Sequence, residues 1–133
     1  MSSPGVEVKT FLDGIGSLGT IRVGNMDATP NALGVIYEYG GLSPIGQFGV
    51  QGVYQERPSI QIVFRGEPHD YETPMTRARI AYFALAAAQP GTLSGTSTVY
   101  DMIVPAQPPF STGKDPNNRY EVKCNYYLTK NAS

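Results

Sequence analysis

The 133-residue chain predicts an α+β domain, an antiparallel or mixed β-sheet with about two helices packed on one face. Three observations lead there. Residues 58–88 pass from a period-two strand through a glycine turn straight into a period-3.6 helix; residues 119–129 alternate apolar and polar side chains without a break; and the strands are joined by links rich in Gly, Pro, Asn and Asp. Consecutive strands with short links favour antiparallel or mixed pairing, with the helices collected on one side. The predicted order is α-β-β-α-β-β. It forms one domain over residues 1–133, a length that buries roughly two-thirds of the unfolded surface in a single core.

At the amino end Ser3 and Pro4 read as a helix start, and Val8, Phe11, Leu12 and Ile15 share one face. Gly14, Gly16 and Gly19 end that helix. An extended piece at Ile21–Val23 leads into a turn around 27–30. Leu33, Val35, Tyr37 and Tyr39 then alternate in a strand that Gly40 and Gly41 are expected to stop. Residues 41–57 follow with Gly46, Gly49 and Gly52 and no clean period, a long loop by this reading and therefore a functional one.

The central strand points Ile60, Ile62 and Phe64 to one side and Ser59, Gln61 and Arg65 to the other, so one face is predicted buried and the other polar. Gly66, Glu67 and Pro68 break the run. Asp70 or Thr73 can cap the next helix, with Pro74 in its first turn, where a missing amide has no cost. Met75, Ala78, Ala81, Tyr82 and Leu85 recur at three- and four-residue steps and form the stripe that lies on the strand. Arg77 and Arg79 flank it, and Pro90 and Gly91 end the helix. Thr98, Tyr100, Met102 and Val104 alternate in a further strand. The last strand sets Tyr120, Val122, Cys124, Tyr126 and Leu128 against Arg119, Glu121, Lys123, Asn125 and Thr129, and residues 111–118 read as a hairpin link.

Composition narrows function mainly by exclusion. Ten basic and eleven acidic side chains give a formal charge of -1, which announces no polyelectrolyte partner. Cys124, the single cysteine, excludes an intramolecular disulfide framework and fits a reducing compartment. Neither a signal peptide nor an apolar run of membrane-spanning length is apparent, so no membrane partner is expected. His69 is the only histidine and sits in a turn beside Asp70. A small ligand-binding or enzymatic domain using His69 and Glu67 is one reading, and a solvated loop residue is the plainer one. Gly46, Gly49 and Gly52 lack the spacing of a dinucleotide fingerprint, and Gly113 with Lys114 lacks the upstream glycine and following Ser or Thr of a phosphate loop. The reading is of a non-enzyme with no cofactor and no metal. Nine tyrosines without a tryptophan suit a core and an interface equally.

The succession IRVGNMDATPNALGVIYEYGG, RPSIQIVFRG, a helix beginning near DYETP, and PAQPPFSTGKDPNNRYEVKCNYYL resembles the tail terminator proteins of long-tailed bacteriophages, also called tail completion or minor capsid proteins. The resemblance runs from about Val6 to Leu128. It implies a virion protein at the head-proximal end of the tail, made in the host cytoplasm. There a ring, usually of six copies, caps the tail tube, ends its polymerisation and offers a surface for head attachment. The partners implied are other copies of the chain, the major tail tube protein, and the head-to-tail connector, with DNA crossing the channel without sequence-specific binding. A head-closure or adaptor ring of the same junction is the neighbouring alternative. Contacts with a neighbouring subunit or the tube are expected at Gln47, Phe48, Val50 and Tyr54, because Phe48 in a loop has no core reason to be apolar. Lys114, Asp115, Asn117 and Arg119 are the second expected contact group.

Overall fold

The computed structural model describes residues 3–46, 53–87, 91–92 and 99–131. The elements run α1 (Pro4–Asp13), β1 (Ile21–Val23), β2 (Leu33–Gly46), β3 (Val53–Pro68), α2 (Glu72–Ala86), β4 (Gly91–Thr92), β5 (Val99–Pro105), β6 (Phe110–Lys114) and β7 (Arg119–Asn131). This is the α+β class expected. The sheet is mixed, seven-stranded and ordered β1-β2-β3-β7-β5-β4, with β6 paired to β7 on the same side as β5. Only β1 and β2 are parallel among the pairs described.

Both helices pack on one face of the sheet. Ser3 caps α1 by accepting from the Val6 amide at 3.3 Å, and Val8 and Leu12 are fully buried. Ile15 lies beyond the helix end and is exposed. The Asp70 carboxylate accepts from the Thr73 amide at 3.1 Å at the start of α2, which chooses between the two caps the sequence left open. Ala78, Ala81 and Leu85 are buried against Ile60, Ile62 and Phe64, with Met75 and Tyr82 at the margin, so the predicted stripe meets the predicted face. Val122, Cys124, Tyr126 and Leu128 complete the core.

Several expectations are corrected. The double glycine does not stop β2. Three register shifts between Tyr39 and Gly46 bend the strand instead, and it continues beside β3, so the long loop expected at 41–57 is largely a hairpin whose strands reach Gly46 and Val53. An antiparallel pair tolerates an extra residue as a bulge, which local periodicity does not register. Nor does Gly66 end β3. A Cβ there would lie 2.7 Å from Pro74 Cδ and 2.8 Å from the Asp70 carbonyl oxygen, so the glycine admits the start of α2 against the strand. The expected hairpin link at 111–118 is half strand, since β6 occupies 110–114.

In β2 Ile36 joins the core on the helix side, whereas Leu33 and Val35 are buried on the opposite face of the sheet. That opposite face is not simply polar. Val63 and Arg65 are buried there too, and Arg119 is 6% exposed. In β5 one extra residue between the pairs Tyr100–Lys130 and Met102–Thr129 breaks the period, so Tyr100 and Ile103, three apart, both reach the helix side. Tyr100 Oη donates to Glu7 Oε1 at 2.8 Å, tying α1 to β5 through a buried carboxylate.

Candidate interaction surfaces

The face of the sheet opposite the helices is divided into a covered and a bare half, and two arginines draw the boundary. Arg65 projects from β3 beneath the segment 24–32. Its Nε donates to the Asn31 carbonyl at 2.9 Å, and its Nη2 to those of Asp27 and Pro30 at 2.7 Å each. Arg119, on β7, donates from Nη1 to the Ala28 carbonyl at 2.8 Å and to Asn31 Oδ1 at 3.1 Å. Asn31 Nδ2 in turn donates to Glu67 Oε2 at 2.8 Å. A segment without ladder partners must satisfy its carbonyls elsewhere, and here two buried guanidinium groups do so. Burial, and then the adjacent Arg119, lower the pKa of Arg65.

Beyond this segment the sheet face is open. Tyr39, Ser59, Tyr127 and Val104 stand opposite one another across β2, β3, β7 and β5, and Tyr39, Tyr127 and Val104 are exposed. Beside this row, Gln61 Nε2 donates to Asn125 Oδ1 at 3.0 Å. At the step between the covered and bare halves lies a pocket of about 320 Å³, walled by Met26 from the segment and by Tyr37, Tyr39, Gln61, Val63, Glu121 and Lys123 from the sheet. Burial, and then the Glu121 carboxylate, raise the pKa of Tyr37. Its lining combines aromatic, apolar and charged side chains.

The sheet has two well-separated ends. Leu33 pairs with Arg65 and Pro68 with Arg119 at one end, Gly46 with Val53 and Gln55 with Asn131 at the other. The thirteen steps of β3 from Gln55 to Pro68 span roughly 40 Å at the usual rise of an extended strand. Gln47, Phe48 and Val50 lie outside the described residues, between Gly46 and Val53 in sequence. Tyr54 lies on β3 at that end.

The second group forms the tip between β6 and β7. Asp115 Oδ1 accepts from the amides of Asn117 and Arg119 at 2.9 Å each, and Oδ2 accepts from Arg119 Nε at 2.8 Å. These bonds outweigh burial and lower the Asp115 pKa. Arg119, expected as a contact residue, is instead a buried organiser of the tip, because the segment 27–31 covers its face of the strand. Lys114 and Asn117 are exposed, with Lys114 Nζ 5.2 Å from the Tyr120 ring centroid. The His69 amide donates to the Asn118 carbonyl at 2.8 Å and joins this tip to the β3–α2 turn.

His69 itself is exposed in a left-handed turn at φ 63°. Among the described residues no group of three or more His, Cys, Asp and Glu is gathered as metal ligands. Cys124 is buried, donates to the Gln107 carbonyl at 3.0 Å, and has its pKa raised by burial, the opposite of an activated thiol. No helix among the described residues is long and apolar enough to cross a membrane. Sequence reasoning missed the pocket because its walls come from three strands and a segment distant in sequence. The only local signal was the Tyr37 and Tyr39 pair.

Residues 11–132 match a family model described as bacteriophage tail terminator protein. No curated protein matches the chain.

Proposed function

The chain belongs to the bacteriophage tail terminator protein family and is a structural protein of the phage tail; on that basis we propose that it assembles as a ring on the head-proximal end of the tail tube. There it ends tube polymerisation and offers the surface to which the head attaches. The observation that carries this reading is the match over nearly the whole chain. The fold is compatible with it, because the β6–β7 tip and the Gly46–Val53 end of the β2–β3 hairpin lie at opposite ends of the sheet, which suits a subunit held between two partners.

In this reading the group at Gln47, Phe48, Val50 and Tyr54 meets a neighbouring subunit or the major tail tube protein. The tip bearing Lys114 and Asn117, shaped by Asp115 and Arg119, is turned toward the head-to-tail connector. Six copies close the ring, and DNA crosses its channel without sequence-specific contacts. Assembly takes place in the host cytoplasm.

Electron microscopy of particles made without this chain tests the proposal. Overlong or headless tails are the expected result. Tails of normal length with filled heads that leak DNA would place the chain at head closure instead. Deleting residues 46–52 is expected to leave a folded chain that no longer caps tails, and normal tail length with that deletion would remove this segment from the contact surface.

A further inference from the structure

We propose that Phe83 on the outer side of α2 docks into the sheet-face pocket of an adjacent copy, with Arg79 facing that copy's Glu121. The inference rests on the ring reading above and names the contact that repeats around it. Phe83 is 61% exposed, the most of any large apolar side chain among the described residues. It is nonetheless held in place: the Tyr82 ring meets it edge-on at 5.2 Å, and the Arg79 guanidinium lies 6.0 Å from its centroid. An aromatic ring fixed before association loses little conformational entropy on binding. The pocket is its counterpart, with volume for a phenyl ring and walls of Tyr37, Tyr39, Val63 and Met26.

The two features cannot meet within one chain. α2 packs on the helix-bearing face of the sheet, and the pocket opens on the other. A projecting group and a recess on different faces make a head-to-tail contact, the kind that generates a closed ring when the rotation permits. Charge agrees with this pairing. Arg79 lies over Phe83 and Glu121 lines the pocket, so the guanidinium arrives beside that carboxylate when the ring enters. The same pocket also carries Lys123 and Gln61, so its lining is polar as well as aromatic.

Photo-crosslinking tests the contact on assembled tails. Phe83 is replaced by the photoreactive p-benzoylphenylalanine, purified tails are irradiated, and the adducts are mapped by mass spectrometry. The expected product is a covalent dimer of this chain with the adduct near Met26, Tyr37 or Tyr39. An adduct to the tube or connector protein, or none on tails that contain the chain, overturns the proposed contact and leaves the ring reading standing. Absence of the chain from wild-type tails overturns the ring reading itself. As a second variant, Phe83→Asp changes only an exposed position and is expected to stay folded by circular dichroism while losing tail termination; a folded variant that terminates tails normally also overturns the contact.

Discussion

Arg65 and Arg119, on the neighbouring strands β3 and β7, donate to the same carbonyl oxygen, that of Ala28, at 3.4 and 2.8 Å. Two like charges share one small volume because the segment above them offers a row of carbonyls and because Asp115 neutralises one of the pair. The segment they hold supplies Met26 to the pocket, so the cluster links the hydrogen bonding of an irregular backbone to the shape of the exposed face.

Arg65→Met keeps most of the aliphatic stem and removes every donor. Two short hydrogen bonds to a charged group, at about 1.5–3 kcal/mol each, predict a loss of at least about 3 kcal/mol in urea unfolding. A loss below about 1 kcal/mol would show that the segment finds other donors.

Asp115 gives a pH signature. Its folded pKa is lowered from the ordinary carboxylate value near 3.9, so the unfolded chain takes up the proton first as pH falls. Its stabilisation is complete above that value and is lost as pH drops through the lower folded pKa. Asp115→Asn is therefore expected to melt below the wild type at pH 7, with the two curves converging as the pH falls below the ordinary carboxylate range. Parallel melting curves over that range would contradict the assignment.

Gly34 faces Phe64 across β2 and β3, and a Cβ at that glycine would lie 2.8 Å from the Phe64 ring. The ring is buried. Gly34→Ala should cost about 1–3 kcal/mol by overpacking, and Phe64→Ala about 3–5 kcal/mol by leaving a cavity. Because the residues touch, the double substitution should cost less than the sum of the singles. Strict additivity in denaturant unfolding would argue against the close approach.

Tyr100→Phe removes the donor to Glu7 while preserving the ring. A loss of about 1–3 kcal/mol is expected from the weakened satisfaction of a buried carboxylate. An unchanged urea midpoint would show that Glu7 is held without Tyr100.

The elements legible in the sequence were those whose burial follows one local period. Ile60, Ile62 and Phe64 on β3 and Ala78, Ala81 and Leu85 on α2 meet as their spacing implies. Where a bulge intervenes, as between Tyr100 and Ile103, alternation assigns the wrong face, since the partner strand fixes the register. Alternation puts Arg65 and Arg119 on the polar faces of their strands, and nothing within a few residues of either reveals the carbonyls of 27–31 that cover them. The family resemblance was legible because it rests on the order of several segments, whereas the pocket arises only when those segments are brought together in space.

The most direct measurement is the length of tubes grown from purified tail tube protein with and without this chain. The account predicts that adding the folded chain stops elongation at one end, that the stopped ends carry a ring of it, and that Phe83→Asp does neither. Tubes that keep growing at an unchanged rate in the presence of excess folded chain would contradict it.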